Sequence, residues 1–315
     1  MKIFETLDEV KIKQKTGIAL GTFDGLHVGH KQVIRDLVEN CKKLNLKSVV
    51  YTFSNHPREI TKTSDNFKRL ISLQEKKRLI EELGVDYLIL VSFDEFHKNT
   101  PANEFVEEIL IAKLRMRHLS VGFNYKFGKM AKGDINLLEE YSYKKDFSLS
   151  VISPVKVQGE KVSSTLIREL LEEGKVTEVS KYLGRNHRVT SKVISGKKVG
   201  RILGFATANL DIHPNMTLIR PGVYITRALF DGQWYGSISN VGYNPTFEKT
   251  GFHLETYIFD FDKDIYDQEL AVEFLERIRS EKKFMNLDDL KNQIQKDVDI
   301  AKAYFEIDKL DKVGI

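Results

Sequence analysis

The stretch GTFDGLHVGH, residues 21–30, places three glycines, two histidines and an aspartate in ten positions. It overlaps the end of an apolar run, GIALGTF at 17–23, which predicts a strand that ends at Phe23. It is followed by KQVIRDLVENC at 31–41, whose apolar residues recur at helical spacing. The stretch therefore lies where a strand gives way to a helix, and its glycines let the backbone approach a ligand closely.

His27 and His30 are the candidate binding residues of this stretch. They are three positions apart, so both project from the first turn if a helix begins near Val28. A helix N-terminus presents free N–H groups and the positive end of the helix dipole, and two imidazoles add donors. The arrangement predicts phosphate binding. The alternative is a glycine turn that carries two surface histidines.

The composition is that of a soluble globular protein of about two domains. The chain has 315 residues, of which 41% are hydrophobic and 30% charged. Its 49 basic and 45 acidic residues are too evenly mixed to favour nucleic acid or a membrane surface as partner. The start lacks an apolar signal segment, no apolar run approaches the roughly 20 residues of a membrane span, and Cys41 is the single cysteine. We expect a cytoplasmic protein with small-molecule substrates, and the sequence sets no oligomeric state.

The first 183 residues alternate between strand-like and helix-like segments. Strands are predicted at 17–23, 47–53, 85–93, 119–123 and 147–157, and helices at 31–41, 73–84, 102–114 and 137–143. Such alternation predicts an α/β fold with a parallel, Rossmann-like sheet covered on both faces. Ligands of such sheets bind beyond the carboxyl ends of the strands, where residues 21–30 are expected.

The remainder of the chain has a different pattern. From about residue 188 it is rich in short β-type runs, at 188–196, 222–230, 233–243, 254–261 and 270–278. Asp231-Gly232 between two of them predicts a tight hairpin, and 287–305 predicts a final helix. These features favour an antiparallel barrel or sandwich with one helix packed on it. The predicted domains are 1–184 and 185–315, with the boundary at Gly184.

Five ordered motifs in the first half resemble a known family. GTFDGLHVGH resembles the (H/T)xGH signature of the α/β nucleotidyltransferases, and its central FD resembles the prokaryotic bifunctional FAD synthetases. Four further segments match family motifs: TFSNHP at 52–57, TPANEF at 100–105, VGFNYKFG at 121–128 and VSSTLIR at 162–168. Taken alone, the last segment is a capped helix. The family resemblance implies transfer of the adenylyl group of ATP to FMN, which gives FAD and pyrophosphate.

The resemblance also implies roles for individual residues. His27 and His30 hold the α-phosphate of ATP and spread the charge of the transition state. Arg168, with Ser164 and Thr165, grips the departing phosphates. Further implied ATP-binding residues are Gly21, Phe23, Asp24 and Gly29. The implied flavin-binding residues are His56, Pro57, Asn124 and Phe127. Magnesium is the implied metal, which neutralises the triphosphate.

The second half resembles a riboflavin kinase module, which makes FMN from riboflavin and ATP. GFATANL at 204–210 is similar to the motif G-x-P-T-A-N, which implies that Thr207 and Asn209 bind the magnesium nucleotide. PGVY at 221–224, SNVGYNPTF at 239–247 and LETYIFDF at 254–261 also match. Glu255 in the last segment is the implied base for the riboflavin 5′-hydroxyl. As a bare strand residue, it is more often a solvent-facing carboxylate.

This half also departs from the family pattern. Ala206 replaces the proline before the threonine, so the fixed φ of that turn is lost. In the preceding strand and loop, Ser191 replaces a glycine, Ser195 a histidine and Val199 an arginine, while Arg201 is retained. The sequence therefore leaves open an active kinase and a silent, flavin-binding or structural module.

The sequence admits two other interpretations, of which the second belongs to a different class of function. Another enzyme of the transferase superfamily is one, but a class I tRNA synthetase is expected to carry a KMSKS-type loop where this chain has S-S-T-x-x-R. A non-catalytic flavin or nucleotide sensor on the same scaffold is the other. A sensor has no need of groups aimed at a transferring phosphate, and His27, His30 and Arg168 are all retained.

Overall fold

The computed structural model of the chain describes residues 1–60, 67–196, 200, 203–217, 219–243 and 252–313. The chain divides into two compact units, Met1–Ser164 and Thr165–Ile315. The functional boundary predicted at Gly184 stays a prediction. Val199, Arg201 and residues 244–247 of the second-half motifs lie outside the described residues.

The first unit is built on a six-stranded sheet whose paired strands all run parallel, in the order β1-β4-β3-β2-β5-β6. Its strands are β1 Lys2–Phe4, β2 Thr16–Leu20, β3 Lys47–Phe53, β4 Tyr87–Val91, β5 Met116–Gly122 and β6 Ser148–Ile152. A separate two-stranded antiparallel sheet follows, formed by β7 Lys156–Val157 and β8 Glu160–Lys161. Every residue of β2 is buried, because neighbours flank it on both sides and cores cover both faces. The predicted parallel sheet is confirmed.

Helices cover this sheet. They are α1 Val28–Lys43, α2 Pro57–Ile60, α3 Leu73–Glu81, α4 Glu95–Asn99, α5 Ala102–Glu104 and α6 Ile135–Lys145, together with a π-helix at Phe105–Lys113 and a 3-10 turn at Lys129–Ala131. Helix α1 packs so closely on β2 that a Cβ on Gly17 would stand 2.4 Å from the Cys41 sulfur. Cys41 is therefore a core residue, as its place on the apolar stripe predicts.

The sheet order places residues 21–30 where a ligand is expected. The chain passes from β2 outward to β3 and β4 on one side, and β5 and β6 lie on the other. The order therefore reverses between β2 and β5, and such a switch point opens a crevice at the carboxyl ends of the strands. The segments that follow β2, β3 and β5 all begin at this edge.

The second unit is a closed antiparallel barrel in the order β10-β13-β12-β11-β14-β9. Its strands are β9 His187–Ile194, β10 Thr207–Leu210, β11 Gly222–Phe230, β12 Gln233–Tyr243, β13 Phe252–Ile258 and β14 Glu269–Arg279. Helices α7 Ser164–Glu172 and α8 Val176–Leu183 precede the barrel, and α9 Leu287–Val313 follows it. Closure decides between the barrel and the sandwich, which the sequence left open.

Two features hold the barrel. Asp231 and Gly232 both adopt positive φ, 49° and 75°, so the predicted β11–β12 hairpin is confirmed. Inside, Thr226 and Ser239 lie 2.9 Å apart between their hydroxyl oxygens, and Ser239 lies 2.8 Å from Thr256. These hydroxyls are fully buried and satisfy one another, which allows a polar interior without a desolvation penalty.

The structure differs from the prediction in several places. Strand β2 ends at Leu20 and not at Phe23, because Phe23 has a left-handed φ of 47°. The predicted helix at 102–114 is largely the π-helix, closed by a bond from Leu114 N–H to the Ile109 carbonyl. The strand predicted over 147–157 is interrupted at 153–155, because Pro154 cannot donate to a ladder. Strand β10 was not predicted. Among the described residues, no helix is both long and apolar enough to span a membrane.

Candidate active site

His27 is the N-cap of α1, and His30 lies in its first turn. His27 is extended, at φ −68° and ψ 172°, and its Nδ1 accepts a hydrogen bond of 3.2 Å from the His30 N–H. The imidazole thus satisfies one of the free N–H groups that a helix leaves at its start. The predicted helix start at Val28 is confirmed, and it follows directly from this cap.

The two imidazole rings stand together, as the spacing predicts. They stack with centroids 3.6 Å apart and planes 15° from parallel, and the edge of Phe23 meets the His30 ring at 5.4 Å. The buried Nδ1 of His30 has no hydrogen-bond partner in the part of the chain that the structure describes. Burial, followed by the neighbouring His27 and Lys76, holds the pKa of His30 well below its usual range. His30 is therefore neutral near pH 7.

The loop between β2 and α1 is strained. Phe23 and Leu26 are buried, non-glycine residues at φ 47° and 40°, a region that costs bulky side chains energy. Between them, Gly25 has φ 81°, and a Cβ there would meet the Leu70 side chain at 2.7 Å. Glycine is therefore favoured at position 25 for two reasons, the positive φ and the lack of space for a Cβ. Strain of this kind persists where the surrounding structure holds it, and it is common at functional sites.

Asp24 fixes this loop from inside. Its Oδ1 accepts a hydrogen bond of 3.0 Å from Leu70 N–H, and its carbonyl accepts one of 2.8 Å from the Ser164 hydroxyl. Ser164 begins α7, which continues through Thr165 and the half-buried Arg168 in the second unit. These contacts give Asp24 and Ser164 a role in shaping the loop. The ATP-binding roles of this group stay predictions.

The predicted flavin-side residues follow β3 and β5. His56 stacks on Phe67 at 3.9 Å, and Pro57 begins α2. Asn124 is exposed, whereas Phe127 is buried and lies nearly parallel to Tyr125 at 5.7 Å. Both segments begin at the sheet edge that carries the histidine pair, so the fold brings them to the same end of the sheet. Phe127 is largely a core residue, and Asn124 is the accessible one.

Lys76 is the residue of this region that sequence reasoning missed. Although a lysine, it is only 8% exposed, and its ammonium donates to the Thr22 and Phe53 carbonyls at 2.9 and 3.2 Å. Burial lowers its pKa to about 8, against the opposing effect of Asp24. A signal was present, since Lys76 lies on the apolar stripe of α3 with Leu79 and Ile80.

In the barrel, the predicted kinase residues share neighbouring strands. Asn209 of β10 stands opposite Glu255 of β13, which in turn stands opposite Asn240 of β12. Thr207 lies two residues before Asn209, on the same face of β10. The strand register therefore brings together Thr207, Asn209 and Glu255, although Thr207 and Glu255 are 48 positions apart in the sequence.

Two cavities meet at Thr207. One, of about 240 Å³, is lined by Thr207, Asn209 and residues 261–266. The other, of about 370 Å³, is lined by Thr207, Glu255, Asn240 and apolar side chains of the barrel and α9. The composition gave no signal for the 261–266 segment, because its residues Asp262, Lys263 and Asp264 are typical of a surface loop. A polar and a largely apolar chamber that share one threonine suit a nucleotide and a flat apolar molecule.

The structure describes most of the residues that depart from the kinase motifs. Ala206 lines the smaller cavity, and Ser195 is exposed. The Ser191 hydroxyl donates to the Asp211 carbonyl, and Ser191 is absent from the described lining of either cavity. Gly196 is retained where a Cβ would stand 2.3 Å from the Asn209 amide. The described glycine of this loop therefore preserves close approach to a predicted nucleotide ligand.

The donor set fits magnesium. Thr207 and Asn209 offer side-chain oxygen atoms, which Mg²⁺ prefers, and both line the cavity of about 240 Å³. No group of three or more His, Cys, Asp or Glu side chains suited to a metal is found among the described residues. Mg²⁺ commonly takes one or two protein oxygens and completes its shell with phosphates and water, so such a cluster is not required.

Fold and site together define a two-domain enzyme class in which an α/β nucleotidyltransferase is joined to a kinase-like barrel. The family model described as FAD synthetase matches residues 9–166, and the one described as riboflavin kinase matches residues 183–305. The chain belongs to the family of bifunctional riboflavin kinase/FMN adenylyltransferases.

Relatives of that description match nearly the whole chain. The bifunctional riboflavin kinase/FMN adenylyltransferase of Haemophilus influenzae is 36% identical over 94% of this chain and 96% of its own. That of Bacillus subtilis is 34% identical over 92% and 93%. A solved structure described as a macrolide-efflux protein from Streptococcus pneumoniae is 29% identical, covers 95% of this chain and 98% of its own, and has a TM-score of 0.87.

Proposed function

We propose that the chain makes FAD in two steps. Its barrel transfers the γ-phosphoryl group of ATP to riboflavin to give FMN, and its first domain transfers the adenylyl group of ATP to FMN. The adenylyl transfer is supported chiefly by one observation. His27 and His30 stack at the start of α1, at the switch point of a parallel sheet. The functional domains are proposed as 1–184 and 185–315, and the matched segments 9–166 and 183–305 support that division.

In adenylyl transfer, a terminal phosphate oxygen of FMN forms a bond to the α-phosphorus of ATP. The bond from that phosphorus to the bridging oxygen breaks, and pyrophosphate leaves with the electron pair. The nucleophile is already anionic, so catalysis rests on positioning and charge stabilisation. His27 and His30 act at the α-phosphate. A bound phosphate acts against burial and the neighbouring cations, so it raises the pKa of His30 from its lowered value.

Other residues of the first half complete the proposal through their motif matches. Ser164, Thr165 and Arg168 bind the departing phosphates. Gly21, Phe23, Asp24 and Gly29 shape the loop against ATP, and the strained backbone of this loop is consistent with that role. His56, Pro57, Asn124 and Phe127 bind FMN, and exposed Asn124 offers a polar contact at the sheet edge.

In the barrel, Glu255 accepts the proton of the riboflavin 5′-hydroxyl. The riboflavin 5′-oxygen attacks the γ-phosphorus of ATP, and ADP leaves. The cavity of about 370 Å³, with apolar walls and Glu255, takes riboflavin, and that of about 240 Å³ takes the nucleotide. Thr207 and Asn209 would hold Mg²⁺, which would neutralise the phosphates. Glu255 lines the cavity proposed for riboflavin, which supports its role as the base.

We propose further that the protein acts in the cytoplasm and has no nucleic-acid partner. Its net charge of +4 arises from an even mixture, which forms no basic tract of the kind that binds nucleic acid. A non-catalytic flavin sensor is the second candidate, and the kept histidine pair and Glu255 disfavour it.

The proposal is tested by chromatography of the flavins that purified protein forms with Mg²⁺ and ATP, from riboflavin and from FMN in parallel. FAD from both substrates is expected. FAD from FMN alone means a silent kinase module, and FAD from neither supports the sensor. The His30→Ala variant is expected to lose about 10²–10³-fold in FAD formation while it still makes FMN from riboflavin. Unchanged turnover of FMN in that variant contradicts the mechanism.

A further inference from the structure

Lys76 joins the starts of two site segments. Its ammonium donates to the carbonyl of Thr22, which directly precedes Phe23 in the histidine loop, residues 21–30. It also donates to the carbonyl of Phe53, the last residue of β3, which leads into the flavin segment, residues 54–57. One buried cation therefore bridges the carboxyl ends of neighbouring strands just where each turns into a predicted binding segment.

The two segments close around this ammonium. A cavity of only about 10 Å³ is lined by Thr22 and Asp24 from the first segment, by His56 from the second, and by Arg69 and Lys76. That space is no larger than one water molecule requires. A change in the length or charge of the Lys76 side chain is therefore transmitted to both segments.

The bridge is a costly way to hold two strands. The charges of Asp24, Arg69 and Glu59 affect the pKa of Lys76. Lys76 in turn lowers the pKa of His30. Arg69 and Glu59 are already paired with each other, and Lys76 forms no ion pair with a carboxylate among the described residues. A buried, unpaired cation weakens a fold compared with an apolar side chain of the same length. A role in folding alone therefore does not account for it.

We propose that Lys76 is a positioning residue for adenylyl transfer, which sets the separation between the histidine loop and the flavin segment. This inference rests on the proposed function, in which one segment holds the α-phosphate of ATP and the other holds FMN. The reaction requires the FMN phosphate oxygen to stand within about 3.5 Å of the α-phosphorus. Neither segment can enforce that distance by itself.

The expected effect falls on turnover. Without Lys76, the Thr22 carbonyl keeps the hydroxyl of Thr52 as a donor at 3.2 Å, so β2 and β3 stay paired. Each segment keeps its own contacts to its substrate, and only their separation loosens. A misplacement of about 1 Å between reacting groups costs on the order of 10²-fold. We expect kcat for FAD formation to fall about 10- to 100-fold, with both KM values within roughly threefold.

The experiment compares Lys76→Met with Lys77→Met in the full-length protein. Methionine replaces the lysine stem with an apolar chain one atom shorter, without charge or donors. Lys77 is the next residue along, and its ammonium contacts Glu5 at 3.0 Å instead of the site. The readouts are kcat and KM for FAD formation from FMN and ATP, thermal melting, and the titration of the His30 ring by NMR. Conversion of riboflavin to FMN by the same preparations reports the second unit.

For Lys76→Met we expect a fall in kcat, a melting temperature within about 3 °C of wild type, and a raised His30 pKa. Lys77→Met is expected to match wild type throughout. A kcat within twofold of wild type overturns the proposal, and so does a loss confined to KM. A wild-type protein that makes no FAD from FMN refutes the proposed function instead, and the two failures are thus distinguished.

If Lys76→Met does not fold, Lys76→Gln decides. Glutamine keeps a polar group but lacks the charge and is too short to reach both carbonyls. The proposal requires the same fall in kcat in this variant, and a kcat within twofold of wild type overturns it. If neither variant folds while Lys77→Met does, Lys76 is a structural residue and the proposal is wrong.

Discussion

Substitution of His27 separates its structural contribution from its chemical one. The His27 Nδ1 caps α1 by accepting the His30 N–H at 3.2 Å. Removal of an N-cap acceptor costs about 1 kcal/mol, which lowers the melting temperature of a unit of this size by roughly 3 °C. Removal of a donor to a developing negative charge costs about 10²–10³-fold in turnover. We expect His27→Ala to show both losses.

His27→Asn provides the matched control. Asparagine is among the strongest N-cap residues, so it restores the bond to the His30 N–H and returns stability to within about 0.5 kcal/mol of wild type. It has no imidazole, so turnover of FMN stays low. Thermal melting by circular dichroism and FAD formation by chromatography measure the two effects. An Asn variant with wild-type turnover refutes the catalytic role of the ring, and an Ala variant with unchanged melting refutes the cap.

Three further predictions address the barrel and the glycine loop. Glu255→Gln is expected to lower riboflavin phosphorylation about 10²–10⁴-fold and to leave FAD formation from FMN unchanged; an equal loss of both activities contradicts the assignment. Burial lowers the pKa of His187 to about 3 from 6.5, so the unfolded chain binds its proton first as pH falls. Barrel stability should therefore drop between pH 6.5 and 3, by at most about 5 kcal/mol, and denaturant unfolding at several pH values should show a smaller drop in His187→Leu. Gly25→Ala should destabilise the protein more than Gly84→Ala, because both have φ near 80° but only Gly25 has a neighbour, Leu70, in the way; equal melting temperatures would count against this loop geometry.

The sequence alone predicted several local features of the protein. The segment 47–53 was predicted as a strand and is β3, because β-branched and aromatic residues form a continuous buried run there. The hairpin at Asp231-Gly232 and the helix start at Val28 were predicted because each depends on a backbone preference of a few adjacent residues. His27 and His30 were brought together by helical spacing alone.

What tertiary structure decided involves partners far apart in the chain. The closure of the barrel depends on β9 pairing with both β10 and β14, and no local pattern encodes which edges meet. The cavity beside Thr207 needs residues 261–266, which look like an ordinary charged loop until the barrel closes. The sequence showed Lys76 only as a lysine on an apolar stripe. The structure shows its hydrogen bonds to the carbonyls of Thr22 and Phe53, which are 54 and 23 residues away. Sequence specifies backbone preferences directly, whereas buried charges and cavities take their character from the groups that folding places around them.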